Sequence, residues 1–305
     1  MNNECGIPTP IPPSHFDGHD YHDVVGDYKH LKRYGAVGDT DGITLGFEIE
    51  CEWRGEYEFD DIGECECCLE DEYECECGAR DAEHINESAH AALGVIDDSM
   101  NRGYVLAERD GSLADTGVEF ITGHCTWESH KPRLERFFSA YRKKFEASSS
   151  AGIHIHVGRA DLDVSWTALY WFIMCNKNAP LIEHVARRYA GRFCGANRQY
   201  LKEGKITFPD RYDAVNKRTD TYEFRLFDST TDWTQMQEYA EFCLATVEFL
   251  IQNNTSIVTW MFGDSLGAAP VDFTQSPMHY PRFIEWVSTQ AVRFPNLNTH
   301  LEKLK

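Results

Sequence analysis

The sequence predicts an α+β protein built on an antiparallel sheet. Five short segments alternate apolar and polar residues with a period of two, which is typical of strands that bury one face. Longer segments carry apolar residues at three- and four-residue steps, or in continuous runs, and these favour helices. With 42% hydrophobic and 26% charged residues over 305 positions, the chain has enough apolar material for a globular core.

Strands are predicted where the alternation is clearest. Residues 43–53 have the sequence Ile-Thr-Leu-Gly-Phe-Glu-Ile-Glu-Cys-Glu-Trp, and two later segments are joined by the turn-forming residues 109–112. The predicted strands are 43–53, 104–108, 117–122, 153–158 and 222–227.

Helices are predicted from the apolar period or from long apolar runs. Leu134, Phe137, Phe138, Tyr141 and Phe145 define an amphipathic helix. The predicted helices are 81–93, 129–146, 166–189, 233–253, 255–262 and 281–291.

The domain organisation predicted from these elements is simple. Residues 1–42 are rich in Pro and lack a sustained period, so they are expected to form an irregular N-terminal arm. Residues 43–305 are expected to form a single domain with a Cys/Glu-rich insertion at about 54–80, since no repeat or long linker divides them.

The net charge of −21 is concentrated in one segment. Residues 52–87 contain fifteen acidic and two basic residues. Such acidity argues against nucleic acid or an anionic membrane as a partner, because both would repel it. No stretch approaches the ~18 apolar residues of a membrane span, and the first residues lack a signal pattern, so a cytoplasmic location is expected. The oligomeric state stays open.

The predicted strands share an unusual polar face. Side chains at i and i+2 of a strand point to the same side, so Glu48 and Glu50 face away from Phe47 and Ile49. One interpretation is a half-solvated sheet with ordinary charged outer residues. A solvated face would carry Lys, Ser and Thr as often as Glu, and this face does not. Its residues are Glu48, Glu50, Glu119, His154, His156, Glu223 and Arg225.

These residue types favour a metal site. Four carboxylates on one face would repel one another and raise one another's pKa values unless a cation lay among them. Oxygen-rich clusters suit Mg²⁺ or Mn²⁺, and magnesium sites often combine carboxylates with the phosphate oxygens of a substrate. Arg225, two residues after Glu223, would face the same site, where its planar guanidinium suits a phosphate or a carboxylate.

Five motifs, in this order, resemble those of a known family. They are Gly46-Phe47-Glu48-Ile49-Glu50; Asp110-Gly111-Ser112-Leu113 with Gly117-Val118-Glu119-Phe120; Gly152-Ile153-His154-Ile155-His156-Val157; Arg211-Tyr212 with Asn216; and Glu223-Phe224-Arg225-Leu226-Phe227. They are similar to the signature elements of the amidoligase enzymes, which belong to the carboxylate–amine ligase superfamily with glutamine synthetase and glutamate–cysteine ligase. The resemblance covers residues from about 44 to about 260.

The resemblance implies a glutamine synthetase-like catalytic core. In such a core a curved antiparallel sheet binds metal-ATP and the acid substrate on its concave polar face, and helices pack on the other side. Glu50 and Glu119 would hold one metal ion. Glu48, Glu223 and a histidine would hold the second.

The resemblance also implies roles for the remaining site residues. His156 is the expected metal ligand and His154 would lie toward the nucleotide phosphates, the reverse assignment being the alternative. Arg225 is similar to the arginine that holds the transferring γ-phosphoryl group. Arg211 and Asn216 correspond to positions that contact nucleotide or substrate.

The implied activity is ATP- and Mg²⁺-dependent amide formation. A carboxylate is a poor electrophile, so such enzymes phosphorylate it first, and an amine then attacks the acyl phosphate. The expected partners are a carboxylate and an amine, either of which could belong to a peptide or protein. One alternative is a metal-dependent hydrolase that uses His154, His156 and Glu119 around zinc. Another is an acidic Cys-rich interaction module.

The insertion carries five of the eleven cysteines, which are Cys65, Cys67, Cys68, Cys75 and Cys77. Two close thiolate pairs separated by a short loop could complete a structural zinc site, although the usual spacing is Cys-x2-4-Cys. Free thiols and disulfides are the alternatives, and disulfides are disfavoured in a reduced cytoplasm.

A second cluster, of arginines, is notable in an acidic protein. It comprises Arg187, Arg188, Arg192 and Arg198. These residues form either a solvated face paired with acidic neighbours or a loop that clamps a substrate carboxylate or nucleotide phosphates.

The zinc hypothesis predicts a stoichiometry. Protein purified without added metal should contain about one equivalent of zinc by elemental analysis, because a four-thiolate site retains the ion. A content below about half an equivalent would exclude the structural zinc site.

Overall fold

Nine strands and six α-helices make up the part of the chain that the computed structural model describes. That part comprises residues 25–26, 36, 38–54, 88–89, 104–108, 113, 117–159, 164, 166–188, 213–253 and 279–305. The Cys/Glu-rich insertion, the predicted helix 255–262 and most of the predicted helix 81–93 lie outside these residues, although Ser88 and Ala89 are helical.

The strands form one open, mixed sheet. They are β1 Val25–Gly26, β2 Thr44–Trp53, β3 Val105–Glu108, β4 Gly117–Thr122, β5 Cys125–Thr126, β6 Phe145–Glu146, β7 Gly152–Gly158, β8 Val215–Lys217 and β9 Thr221–Asp228. The order is β1-β3-β4-β2-β7-β9-β8, with β5 and β6 pairing at the two ends of β2. Every pair is antiparallel except β1 with β3.

The helices follow the strands in the second half of the described chain. They are α1 Trp127–Tyr141, α2 Trp166–Met174, α3 Ala179–Ala186, α4 Trp233–Gln252, α5 Tyr280–Thr289 and α6 Pro295–Leu301. Short 3₁₀ helices lie at Asn176–Asn178 and Glu302–Leu304. None of these helices has the length and apolar character that a bilayer span requires.

An aromatic layer joins the helices to one face of the sheet. Phe120 of β4 contacts Phe137 of α1 with ring centroids 5.0 Å apart, and Phe227 of β9 stacks on Tyr239 of α4 at 4.4 Å. Because strand side chains alternate, burial of these rings leaves the intervening polar residues on the opposite face. The predicted α+β class with helices on one side of the sheet is therefore observed, while the curvature of the sheet stays a prediction.

Helix α1 ends earlier than its apolar period predicts. The expected end was residue 146, but the helix ends at Tyr141, and a turn follows in which Lys144 N donates to Tyr141 O. Phe145 instead lies in β6, where it is the partner of Trp53, and its ring stacks on Tyr141 at 5.6 Å. A strand position thus satisfies the same apolar contact that a continued helix would have made.

The predicted single helix 166–189 is also wrong, because the segment forms two helices. Between them lies Asn178, which is fully buried, donates from Nδ2 to Phe172 O (2.9 Å) and accepts from Tyr280 N (3.0 Å). Pro180 follows within the first turn of α3, where its missing N–H costs nothing. The apolar composition of the segment therefore gave no sign that the helix is interrupted at a hydrogen-bonded asparagine.

The predicted N-terminal arm contributes to the sheet at two points. Val25–Gly26 pairs in parallel with β3, and Ala36 bridges to His124. The other residues of 1–37 lie outside the described part of the chain.

Helix α6, which the sequence did not predict, is attached through a buried carboxylate. Glu241 of α4 is fully buried and accepts hydrogen bonds from Leu297 N (2.9 Å) and Asn296 Nδ2 (2.8 Å). It thereby satisfies an amide in the first turn of α6 that has no partner within the helix.

We expect Glu241→Ala to lower the free energy of unfolding by about 2 kcal/mol, because it leaves a buried amide without an acceptor. Glu241→Gln retains an acceptor oxygen and should cost less than about 1 kcal/mol. Urea unfolding measures both values. The control is Glu248→Ala on the same helix, which removes a partly exposed pair with Arg293 and should also cost less than about 1 kcal/mol. Equal losses for Glu241→Ala and Glu248→Ala would contradict the assignment.

Candidate active site

Strand register gathers the polar residues on the face opposite the helices. Glu48 of β2 is the partner of His154 in β7, and Glu50 is the partner of Glu119 in β4. His156 of β7 is the partner of Glu223 in β9. Partners in adjacent strands have side chains on the same face, so three cross-strand pairs stand side by side across four strands.

Glu48 connects the two histidines. Its Oε2 lies 2.8 Å from His154 Nδ1, and its Oε1 lies 3.0 Å from His156 Nε2. The other ring nitrogen of His156, Nδ1, lies 3.0 Å from Thr221 Oγ1, which fixes the orientation of the ring. One carboxylate therefore bridges two imidazoles that are two residues apart on β7.

Glu50, two residues after Glu48 on β2, lies beside Glu119 of β4. Both are buried, with 5% and 6% exposure. Glu50 Oε2 accepts a hydrogen bond from Gly152 N (2.7 Å), and its Oε1 lies 3.5 Å from His154 Nε2. Two neighbouring carboxylates are thus fixed by a backbone amide and by strand pairing.

Glu223 is held by two arginines. Its Oε1 accepts from Arg225 Nη1 (2.8 Å), and its Oε2 accepts from Arg218 Nε (2.5 Å). Arg218 was not predicted as a site residue. It follows β8 in the β8–β9 hairpin, where its amide donates to Thr221 O (2.9 Å), and this short hairpin is the sequence signal that could have placed it.

A β-bulge directs Arg225 toward the site. The pairing of β7 with β9 shifts by one residue, so that Arg225 and Leu226 both lie opposite His154. The extra residue lets Phe227 keep its place in the aromatic layer while Arg225 Nη1 lies 3.4 Å from His154 Nδ1. Arg225 Nε is buried and has no hydrogen-bond partner among the described residues. A buried guanidinium N–H without a partner is costly unless a ligand accepts from it.

Electrostatics lower the pKa values of two of the carboxylates, Glu48 and Glu223. Burial raises the pKa of Glu48, but the charge of His156 and hydrogen bonds from both histidines outweigh burial and hold this pKa well below its usual range. Burial lowers the pKa of His156, and the charge and hydrogen bond of Glu48 outweigh it and raise this pKa. For Glu223, burial is likewise outweighed by Arg218, His156 and Arg225, so its pKa is lowered. Ionised carboxylates are the form that ligates cations.

Two overlapping sets of side chains could each hold a metal ion. Within each set, the potential ligand atoms lie within 4.8 Å of one another. The sets are Glu48, His156 and Glu223, and Glu48, Glu119 and His154. The first is the set that the family resemblance implies. The second set contains Glu119 as expected, but its other members are Glu48 and His154 and not the expected Glu50. One oxygen of Glu50 instead accepts a hydrogen bond from Gly152 N.

The remaining predicted residues lie at the edge of this cluster or outside the described chain. Asn216 of β8 is the partner of Glu223, is buried, and donates from Nδ2 to Asp213 O (3.3 Å). Arg211 and the cysteines Cys65, Cys67, Cys68, Cys75 and Cys77 lie outside the described residues, so their roles stay predictions. Cys51, Cys125, Cys175 and Cys243 are buried, and none of them forms a disulfide with another described residue.

The structure separates the predicted arginine cluster. Arg187 ends α3 in the left-handed conformation (φ 55°) and pairs with Glu238 of α4 at 2.5 Å. Arg188 extends over Gly152, with Nη1 3.5 Å from Phe227 O. Arg192 and Arg198 lie outside the described residues.

Comparisons with known proteins give little further information. No protein-family model matches the chain, and no curated protein matches it. A solved structure described as apo GmaS without ligand is similar at 14% identity and a TM-score of 0.38, over 86% of this chain and 67% of that one. A likeness of this size establishes neither a family nor a function for this chain. The resemblance to the amidoligase enzymes therefore depends on the five motifs.

We expect Glu48→Gln to weaken Mn²⁺ binding by at least about tenfold, because Glu48 belongs to both ligand sets. Titration monitored by electron paramagnetic resonance of free Mn²⁺ measures this affinity. The matched control is Glu52→Gln on the same strand and face, where the carboxylate accepts from Ser148 Oγ (2.6 Å) and Ser150 Oγ (2.9 Å) and belongs to neither set. Wild-type affinity in Glu48→Gln, or an equal loss in Glu52→Gln, would show that the ion binds elsewhere.

Proposed function

We propose that this protein is an ATP- and divalent metal-dependent carboxylate–amine ligase that forms an amide through an acyl phosphate. One observation carries the proposal. Two overlapping ligand sets share Glu48 on a sheet face, beside Arg225, whose buried Nε has no partner in the part of the chain that the structure describes. The order of the five sequence motifs supports the same assignment.

The donor atoms fit two Mg²⁺ or Mn²⁺ ions. Each set offers two carboxylates and one imidazole, and neighbouring positive charges lower the pKa values of Glu48 and Glu223. Three protein ligands leave coordination positions for phosphate oxygens and water, as magnesium usually requires. When bound, such ions would neutralise phosphate charge and align the transferring group.

Arg225 fits the phosphate end of ATP. Its Nη1 is fixed by Glu223, which leaves Nε and the rest of the guanidinium to donate to an anion. The pKa of Arg225 is raised because the charge and hydrogen bond of Glu223 outweigh burial, so the group stays charged. A fixed cation beside a transferring phosphoryl group lowers the barrier by stabilising the charge that spreads over its oxygens.

The proposed reaction has two steps. An oxygen of the acid attacks the γ-phosphorus of ATP, and ADP leaves with the electrons of the broken P–O bond. The amine then attacks the acyl carbon, phosphate leaves, and the nitrogen loses a proton. Glu48, Glu119 and Glu223 would hold the ions through both steps, while Arg225 would steady the phosphoryl oxygens.

The alternatives have less support in the geometry. A hydrolase that binds zinc through both imidazoles would need His154 and His156 in one ligand set. Within the described residues they belong to different sets. The interaction-module hypothesis depends on the Cys/Glu-rich insertion, which lies outside those residues.

We expect Mg-ATP at about one hundred times its Kd to raise the Tm by roughly 4 °C, because a ligand that binds only the folded state stabilises it by about 2.7 kcal/mol at that concentration. Differential scanning calorimetry measures the shift, and titration calorimetry the Kd. Arg225→Gln should lose most of the shift. Arg142→Gln, which removes the same charge from an exposed position after α1, should keep it. An unchanged Tm together with no calorimetric binding would refute the proposed function.

A further inference from the structure

Arg188 occupies the space that a side chain at position 152 would fill. A β-carbon built on Gly152 would lie 2.5 Å from Arg188 Nη1 and 3.6 Å from Glu50 Oε2. The first distance is a clash, so only glycine allows the guanidinium to approach this closely. Because His154 and His156 follow Gly152 at alternate positions, the guanidinium lies against the same polar face as the metal ligands.

The conformation of the preceding residue directs Arg188 to this place. Arg187 ends α3 with a positive φ, and its side chain pairs with Glu238 of α4. The next side chain therefore leaves the helix layer and reaches Gly152 at the start of β7. The two neighbouring arginines thus have different surroundings, one in an ion pair within the helix layer and the other at the edge of the site.

Arg188 has unused donor capacity beside anionic groups. Among the described residues its hydrogen bonding amounts to one long contact, from Nη1 to Phe227 O at 3.5 Å. A guanidinium carries five N–H donors. Two described acidic residues lie close to Gly152: Glu50, and Asp228, which is the partner of Gly152 in β9. Neither forms an ion pair with Arg188 in the described part of the chain, although the Arg188 charge partly offsets the effect of burial, which raises the pKa of Asp228.

The proposed reaction gives this second cation a purpose. A ligase must bring two anions, the γ-phosphate and a carboxylate, into a site whose own residues are mostly anionic. Arg225 is already fixed beside Glu223 and His154, next to one ligand set. Arg188 lies beyond His154, against Gly152 and close to Glu50. Each incoming anion could therefore meet a different guanidinium.

We propose that Arg188 binds the carboxylate of the acid substrate, and that the lack of a side chain at Gly152 leaves room for the Arg188 guanidinium. This inference rests on the proposed function, because it takes the phosphoryl group to be held by Arg225. A planar guanidinium binds a carboxylate through two parallel hydrogen bonds, which orients as well as attracts it. A guanidinium can bind any oxyanion, phosphate included, and the oxyanion that we assign to Arg188 is the substrate carboxylate.

Calorimetry with separate probes tests this assignment. The probes are a non-hydrolysable ATP analogue with Mn²⁺ and then, with that analogue bound, acetate and succinate. Arg188→Gln should weaken carboxylate binding by about ten- to a hundredfold and change nucleotide affinity by less than about twofold. Arg188→Lys should lie between, because it keeps the charge without the fork. Arg142→Gln, an exposed change of the same charge, should bind both probes as the wild type does.

Gly152→Ala provides an independent variant, since it keeps Arg188 but displaces its guanidinium. It should lose carboxylate affinity with nucleotide affinity retained, and circular dichroism checks that it folds. Arg188→Gln alone decides the matter if Gly152→Ala does not fold.

The outcomes separate this inference from the proposed function. Carboxylate affinity in Arg188→Gln equal to that in Arg142→Gln would overturn the inference and leave the ligase proposal standing. Binding of neither acetate nor succinate to the nucleotide-bound wild type would overturn it equally. A selective loss of nucleotide affinity would identify phosphate as the oxyanion and also overturn it. Failure of the wild type to bind the nucleotide analogue would instead refute the ligase proposal itself.

Discussion

The balance of charge on one partly buried sheet face is the constraint on which the site depends. Glu48, Glu50, Glu119 and Glu223 are brought together by strand pairing, and buried carboxylates are stable only when positive charge or hydrogen bonds compensate them. Glu48 meets this requirement by accepting from both His154 and His156. Glu223 meets it through two arginines, and Glu50 through the Gly152 amide. The compensating imidazoles are also potential metal ligands, and the compensating guanidinium groups are also potential anion-binding groups.

The aromatic layer packs the helices against the opposite face of the same strands. Phe47 contacts Trp127 and His130, Phe120 contacts Phe137 and Tyr141, and Phe227 stacks on Tyr239. Because these residues alternate with the polar ones along the same strands, packing on the helix side fixes the spacing of ligand atoms on the other side. The bulge in β9 reconciles the two demands, since it keeps Phe227 in the core and Arg225 at the site. The fold thus holds these side chains in place without a ligand, as preorganised catalysis at this face would require.

Much of the sheet was predictable from a local signal, whereas helix ends were not. Period-two alternation identified β2, β3, β4, β7 and β9, because each of these buries one face against helices, but it missed the short strands β1, β5, β6 and β8. The same logic failed at Phe145, whose apolar side chain fits either the end of α1 or the start of a strand, and only pairing with Trp53 decides between them. It failed again at Asn178, where a buried amide bonded to Phe172 O and Tyr280 N divides an apolar run into two helices. Helix α6 was missed because Glu241, an acceptor for its first turn, lies more than fifty positions earlier in the chain.

The sequence by itself determined which residues share the polar face, since alternation depends only on the backbone geometry of a strand. It also indicated which ligands the face would suit, because Glu and His are metal ligands and Arg pairs with phosphates and carboxylates. Tertiary structure decided how these residues group. Register made Glu48 common to both ligand sets, a hairpin added Arg218, and the left-handed end of α3 carried Arg188 to Gly152. These contacts join residues distant in the chain through strand pairing and helix packing, so no local pattern in the sequence encodes them.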